Sequence, residues 1–152
     1  MPNGVDGIIL RPGDFPSHEI ANNLIGGTTP GAGNVISGNR QGGIWIGYGN
    51  ATGNLIQGNL IGLAADGVGA LGNGLEGNVP PIPHSDGIFF EGPGAGTPTS
   101  GPHDNVVDGL AGGAGNRIAF NAGSGIALAE GLRPSGGAGR LGRSARNPYA
   151  NL

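Results

Sequence analysis

The sequence predicts an all-β solenoid of short parallel strands, and three observations support this prediction. Gly contributes 36 and Pro 12 of the 152 residues, a content that disfavours long helices and long strands. Residues 23–46 match residues 105–128 without a gap at ten positions, which include Asn and Ile pairs that the glycine content does not explain. Short apolar words bounded by Gly or Asn recur along the chain. Strands of that size cannot bury themselves, so each one must stack on the next.

The first kind of word is Gly-Ile followed by two mostly apolar residues, at 7–10, 43–46, 87–90 and 125–128. Such a word is too short for a helix and suits a strand in which every second side chain faces a core. Alternation then places Ile44 and Ile46 inward and Trp45 outward. The other outward side chains of these strands are Ile9, Phe89 and Ala127.

The second kind of word is an Asn followed by one residue and then Ile or Val, at Asn23, Asn34, Asn54, Asn59, Asn105 and Asn116. Stacked Asn amides can hydrogen-bond along a solenoid as a ladder, and Gly supplies the positive φ of tight corners. We therefore expect Asn34, Asn54 and Asn116 to point inward at a corner and to bond to one another or to the backbone.

The length of one rung has two interpretations. The Gly-Ile words recur at long intervals along the chain, whereas the interval from Asn34 to Asn54 is little more than half as long. Either two rungs fill each long period, or one rung carries long loops. At roughly 20–24 residues per rung, residues 5–130 would form about five or six rungs.

Three stretches of the sequence resemble a known family: GNVISGN at 33–39, NLIQGNLIG at 54–62 and ADGVGALGN at 65–73. They are similar to the repeats of bacterial right-handed parallel β-helix proteins of the pectate-lyase-like superfamily, and the resemblance covers residues 5–128. It implies a short, single-stranded right-handed parallel β-helix with long loops, in an extracellular or cell-surface protein. The superfamily includes lyases, hydrolases, esterases and epimerases as well as tailspikes and adhesins, so function must be argued from individual residues.

We expect two segments, the parallel β-helix repeats at 5–130 and a flexible Arg/Gly-rich tail at 131–152. The tail holds four of the seven Arg residues and no Asp or Glu. No capping helix precedes the word at 7–10, although the ends of a solenoid need polar caps. We therefore expect the chain to be a fragment of a longer repeat protein.

Charge and composition exclude several classes of function. Residues 1–132 carry three Arg against ten acidic residues, so this body should repel nucleic acid. The absence of Cys excludes disulfides and thiolate metal sites. The sequence has neither an apolar run long enough to span a membrane nor a secretory signal.

Two pairs of polar residues are candidates for catalysis or for a divalent ion such as calcium. His84 and Asp86 precede the word at 87–90, and His103 and Asp104 precede the word that begins at Asn105. With a rung of roughly 20 residues, the two pairs would stack at one edge and offer mixed oxygen and nitrogen ligands. Polar residues before strands are also ordinary turn formers, and no metal site or cofactor is assigned. The word PHD at 102–104 resembles the Asp-Pro-His-Asp word of alginate C5-epimerases, with Gly101 in place of its first Asp.

The outward positions of the Asn strands argue against an intact active site, because only Asp108 and Arg117 among them are ionisable and no carboxylates are paired as in glycosidases. These outward positions are Leu24, Val35, Ser37, Leu55, Gln57, Leu60, Val106, Asp108, Arg117 and Ala119.

Aromatic residues are the candidates for ligand binding. Trp45 and Phe89 occupy equivalent outward positions, with Tyr48 nearby, and rings on a solenoid face bind a sugar, a partner or a covering loop. The alternative is that the chain's own long loops, 63–86 and 91–104, cover the rings. The sequence thus predicts a non-catalytic scaffold that binds polysaccharide or packs on neighbouring β-helix repeats. The alternative function is a polysaccharide lyase or uronate C5-epimerase.

Overall fold

The computed structural model describes residues 3–11, 18–47, 49–75, 84–93 and 101–129. These residues form twelve strands of two to four residues and no helix, which confirms the all-β prediction. In chain order the strands are β1 (Ile8–Leu10), β2 (Glu19–Ala21), β3 (Leu24–Gly26), β4 (Val35–Ile36), β5 (Ile44–Gly47), β6 (Asn50–Thr52), β7 (Leu55–Gln57), β8 (Leu60–Ile61), β9 (Ile88–Glu91), β10 (Val106–Val107), β11 (Arg117–Ile118) and β12 (Ile126–Ala129).

The strands form four sheets, and every pair of neighbouring strands is parallel. Sheet A has the order β1-β5-β9-β12, sheet B is β2-β6, sheet C is β3-β7-β10 and sheet D is β4-β8-β11. The chain visits A, B, C and D in turn and then returns to A beside its previous strand. We call one such passage a rung: β1–β4 form rung 1, β5–β8 rung 2, β9–β11 rung 3, and β12 begins rung 4. This arrangement is consistent with a β-solenoid.

Each long period of the sequence corresponds to one rung with loops. Ile8, Ile44, Ile88 and Ile126 are in register across sheet A, one from each rung. The described residues therefore span three rungs and the start of a fourth, and the expectation of five or six rungs is wrong. The interval between Asn34 and Asn54 does not measure the rung length, because these two residues lie at different corners of successive rungs.

The strong sequence repeat relates rungs 1 and 3 rather than adjacent rungs. Both carry the same loop between sheets C and D, at 27–33 and at 109–115. Gly31 and Gly113 have matching φ values of 84° and 82° in these loops. In rung 2 only Gly58 and Asn59 separate β7 from β8. A Cβ at Gly58 would overlap the carbonyl oxygen of Gly27. It would also lie 2.9 Å from the carbonyl oxygen of Gly113. The two long loops therefore meet over the tight corner of rung 2.

The core is a set of stacked aliphatic columns, as alternation predicts. Ile44, Ile46, Ile56, Ile61 and Ile88 are fully buried. The inward residues of sheet C are Ile25, Ile56 and Val107, and those of sheet D are Ile36, Ile61 and Ile118. Because each side chain covers its neighbour in the next rung, a strand of two residues contributes to a continuous core.

Asparagine ladders run along three corners. In each ladder the side-chain amide of one Asn donates to Oδ1 of the Asn in the next rung, at 2.7–3.1 Å. In most steps the backbone N–H of the same Asn donates to the same oxygen. The ladders are Asn23–Asn54–Asn105 before sheet C, Asn34–Asn59–Asn116 before sheet D, and Asn3–Asn39–Asn73–Asn121 before sheet A.

The predicted ladder is present, but its members divide between two corners. Asn54 lies in the first ladder, whereas Asn34 and Asn116 lie in the second, with Asn59 between them. Asn54 is fully buried, Asn116 is partly buried, and Asn34 is exposed although its amide is bonded. Asn116 is the last Asn of its ladder. Its backbone N–H and its side-chain amide both donate to Asp108 Oδ1 instead of to another Asn.

Candidate functional site

The outer face of sheet A carries the aromatic residues that the sequence singled out. Ile9, Trp45, Phe89 and Ala127 are in register on this face. Trp45 points outward as predicted, yet only 6% of its surface is exposed. Tyr48 lies outside the described residues, and so do residue 130 and the tail 131–152.

The indole of Trp45 lies across Gly47 in its own strand. A Cβ at Gly47 would lie 2.5 Å from Trp45 Nε1 and 3.1 Å from Glu91 Cβ, so a side chain there would displace the ring. Trp45 Nε1–H donates to Glu91 Oε2 at 3.0 Å, and Glu91 is itself buried. The register of β5 with β9, which pairs Gly47 with Glu91, makes this contact possible.

His84 covers the rings from the segment that precedes β9. Its imidazole centroid lies 5.1 Å from that of Trp45 at a tilt of 44°, and 5.1 Å from that of Phe89 in a stacked arrangement at 19°. His84 belongs to the segment 63–86 that we considered as a cover for the rings. A sugar could stack on Trp45 only if this imidazole moved aside, and ligand binding by Trp45 and Phe89 stays a prediction.

Asp6, which precedes β1 in rung 1, contacts His84. His84 Nδ1 lies 3.1 Å from Asp6 Oδ1, and both side chains are buried. The contact passes over Gly42 of rung 2, where a Cβ would lie 2.9 Å from Asp6 Oδ1 and 3.2 Å from His84 Nδ1. Asp6 was not among the residues predicted from the sequence. The signal was the pattern Asn-x-x-x-Gly-Ile at 3–8, 39–44 and 121–126, which aligns Asp6 with Gly42 and Ser124.

Asp86 has a structural role beside this cluster. Its Oδ1 accepts the backbone N–H of Ser124 at 2.7 Å and thereby links rung 3 to rung 4. Burial raises the pKa of this carboxyl above its usual range, while the bonds from Ser124 and the proximity of His84 oppose the shift. The carboxylate is therefore held by the backbone of the next rung.

The two predicted His/Asp pairs do not stack, because one rung is longer than the interval between the pairs. His103 forms a bridge with Thr52 at sheet B, whereas His84 lies on the outside of sheet A in the same rung. His103 and Asp104 are exposed, with 3.9 Å between Nε2 and Oδ2. Within the described ranges, no three His, Cys, Asp or Glu side chains are grouped to hold a metal ion.

The outer faces of sheets C and D differ from that of sheet A. Leu24, Leu55 and Val106 form one outward column, and Val35, Leu60 and Arg117 form another. Leu24 is 58% exposed, and Val35 and Val106 are also exposed. These positions face outward as alternation predicts.

Comparisons with family models, with curated protein sequences and with solved structures found no match for this chain. No helix in the described part of the chain is long and apolar enough to cross a membrane.

Proposed function

We propose that this chain is a non-catalytic, right-handed parallel β-helix scaffold at the cell surface or outside the cell. The observation that carries the proposal is the use of carboxylates as structural acceptors. Asp86 holds Ser124, Glu91 holds Trp45 and Asp108 holds Asn116. General acid–base chemistry on a polysaccharide requires such groups to face the substrate instead. Right-handed connection is the strong rule for parallel strands in one sheet, and the family resemblance supports it.

The scaffold's partner is polysaccharide or neighbouring β-helix repeats. Polysaccharide would bind at the outer face of sheet A once His84 moves off the rings, which opens the aromatic surface of Trp45 and Phe89 to a pyranose. The acidic balance of residues 1–132 favours neutral glycans over acidic ones. The resemblance alone supports the extracellular location.

The second candidate function is a polysaccharide lyase or uronate C5-epimerase. The exposed neighbours His103 and Asp104 favour it, since both side chains are open to solvent and lie in the word PHD. An epimerase or lyase needs a base and an acid in reach of one sugar.

Two assays test the proposed function. Trp45 is the only tryptophan, so its emission reports on the outer face of sheet A without a label. We expect a shift with one class of neutral oligosaccharide, and Trp45→Phe should weaken binding measured by calorimetry. A Trp45 emission spectrum that no oligosaccharide changes would contradict the proposal that this face binds glycans.

The second assay separates the scaffold from the enzyme. Incubation with alginate or pectate, with and without calcium, should give neither unsaturated products nor a changed uronate composition. Turnover that His103→Gln or Asp104→Asn abolishes would instead establish the enzyme.

A further inference from the structure

The Asp6–His84 pair is the part of the outer face that the scaffold proposal leaves unexplained. Both side chains are more than nine-tenths buried. Four of their atoms, Oδ1 and Oδ2 of Asp6 and Nδ1 and Nε2 of His84, make no hydrogen bond with the residues that the structure describes. A buried carboxylate without hydrogen bonds is costly unless a positive charge compensates it.

Three ligand-type atoms converge beside Gly42. A Cβ at that position would lie 2.9 Å from Asp6 Oδ1, 3.0 Å from the Asp86 carbonyl oxygen and 3.2 Å from His84 Nδ1. The 3.1 Å between Asp6 Oδ1 and His84 Nδ1 suits two ligands of one ion with bonds of about 2.0–2.2 Å. Because Gly42 has no side chain, these three atoms can lie where a Cβ at this position would contact all of them.

We infer that Asp6, His84 and the Asp86 carbonyl bind a divalent transition-metal ion of the zinc class. One imidazole nitrogen and two oxygens suit zinc, cobalt or nickel, whereas calcium takes six to eight oxygens. Stacking on Phe89 fixes the imidazole plane. The ion would tie rung 1 to rung 3 across rung 2, and this role does not depend on the proposed function.

The experiment uses the full chain, freed of metal by a chelator and titrated with Co²⁺ or Ni²⁺, then with Zn²⁺ as competitor. The Trp45 ring lies 5.1 Å from His84, so a paramagnetic ion at His84 should quench its emission. We expect saturable quenching with one ion per chain, reversal by Zn²⁺, and a higher unfolding temperature in Zn²⁺. Ca²⁺ should do neither.

Variants assign the site. Asp6→Asn and His84→Gln should each weaken the apparent affinity about tenfold or more. Asp66→Asn is the matched control, because it makes the same chemical change at an exposed carboxylate in the loop after sheet D, and it should retain the wild-type affinity. His103→Gln tests for adventitious binding at an exposed histidine and should have no effect.

Two results would overturn the inference. One is a wild-type chain that shows no saturable response to any of these ions, which would leave Asp6 and His84 as a structural pair. The other is quenching whose affinity is unchanged in folded Asp6→Asn or His84→Gln. If circular dichroism shows that one of the two variants fails to fold, the other variant and the wild-type titration decide.

Discussion

The outer face of sheet A and the outer faces of sheets C and D obey the same alternation but have different surroundings. Trp45 and Leu24 both point away from the core, yet Trp45 is buried and Leu24 is 58% exposed. The difference is that His84, from the segment between β8 and β9, lies over the rings of sheet A. Alternation therefore determines the side of a sheet on which a residue lies, whereas the connecting segments determine its exposure.

The largest expected effect tests this difference directly. Trp45→Ala should lower the free energy of unfolding by about 3–5 kcal/mol, as for a core aromatic residue, because the ring packs on Gly47 and His84. Leu24→Ala should change it by less than about 0.5 kcal/mol. Urea unfolding followed by circular dichroism measures both. Similar small losses for the two variants would show that the covered face contributes no more than the open one.

The second prediction compares the two sides of sheet C. Ile56→Ala should cost about 2–4 kcal/mol through cavity formation, since Ile56 is fully buried between Ile25 and Val107. Ile36→Ala and Ile118→Ala create cavities in sheet D by the same mechanism. Leu55→Ala, the adjacent outward change, is the control and should cost clearly less. Equal costs at Ile56 and Leu55 would contradict the assigned register.

The third prediction concerns the corners between the sheets. Asn59→Ala should cost about 1–3 kcal/mol, because it removes the side-chain donor to the Ile25 carbonyl and the acceptor of the Asn34 amide. Asn34→Ala removes a ladder residue that is exposed and should cost less. Hydrogen exchange provides a second measurement, since the backbone amide of Asn34 should exchange faster in Asn59→Ala. An unchanged rate would mean that the ladder adds no protection.

The smallest effect is expected at Asp66, in an exposed loop after sheet D. Its Oδ1 accepts the backbone N–H groups of Val68 and Gly69, which lower the pKa of the carboxyl below 3.8. The stabilisation is therefore fully present above pH 3.8 and is lost as the pH falls through the lowered pKa. Carboxyl titration by NMR should give a midpoint below 3.8. A midpoint at or above that value would show that the two bonds do not form in solution.

The fold could largely be predicted from the sequence because its determinants are local. The Gly-Ile words predicted the strands of sheet A, and the alternation of side chains predicted the inward Ile columns. The rung length could not be read in the same way. Rung 2 has a tight corner at Gly58 where rungs 1 and 3 have loops, so equivalent Asn residues are unequally spaced along the chain.

The candidate site could be predicted only in part. Trp45 and Phe89 were placed on the correct side because the period of a strand is fixed. Asp6 and His84 were not brought together, because their contact joins rung 1 to rung 3 and depends on the path of the segment before β9. No local pattern encodes such a contact.

The contacts over Gly42 and Gly58 of rung 2 have a consequence for how the molecule unfolds. Over Gly42 the Asp6 and His84 side chains meet, and over Gly58 the loops 27–33 and 109–115 meet. Repeat proteins usually behave as one-dimensional arrays in which a unit senses only its immediate neighbours. Here two contacts reach the second neighbour, so rung 1 cannot fray without loosening rung 3. Native-state hydrogen exchange should therefore show rungs 1, 2 and 3 opening as one cooperative unit, and an extra rung inserted after rung 1 should break both contacts at once.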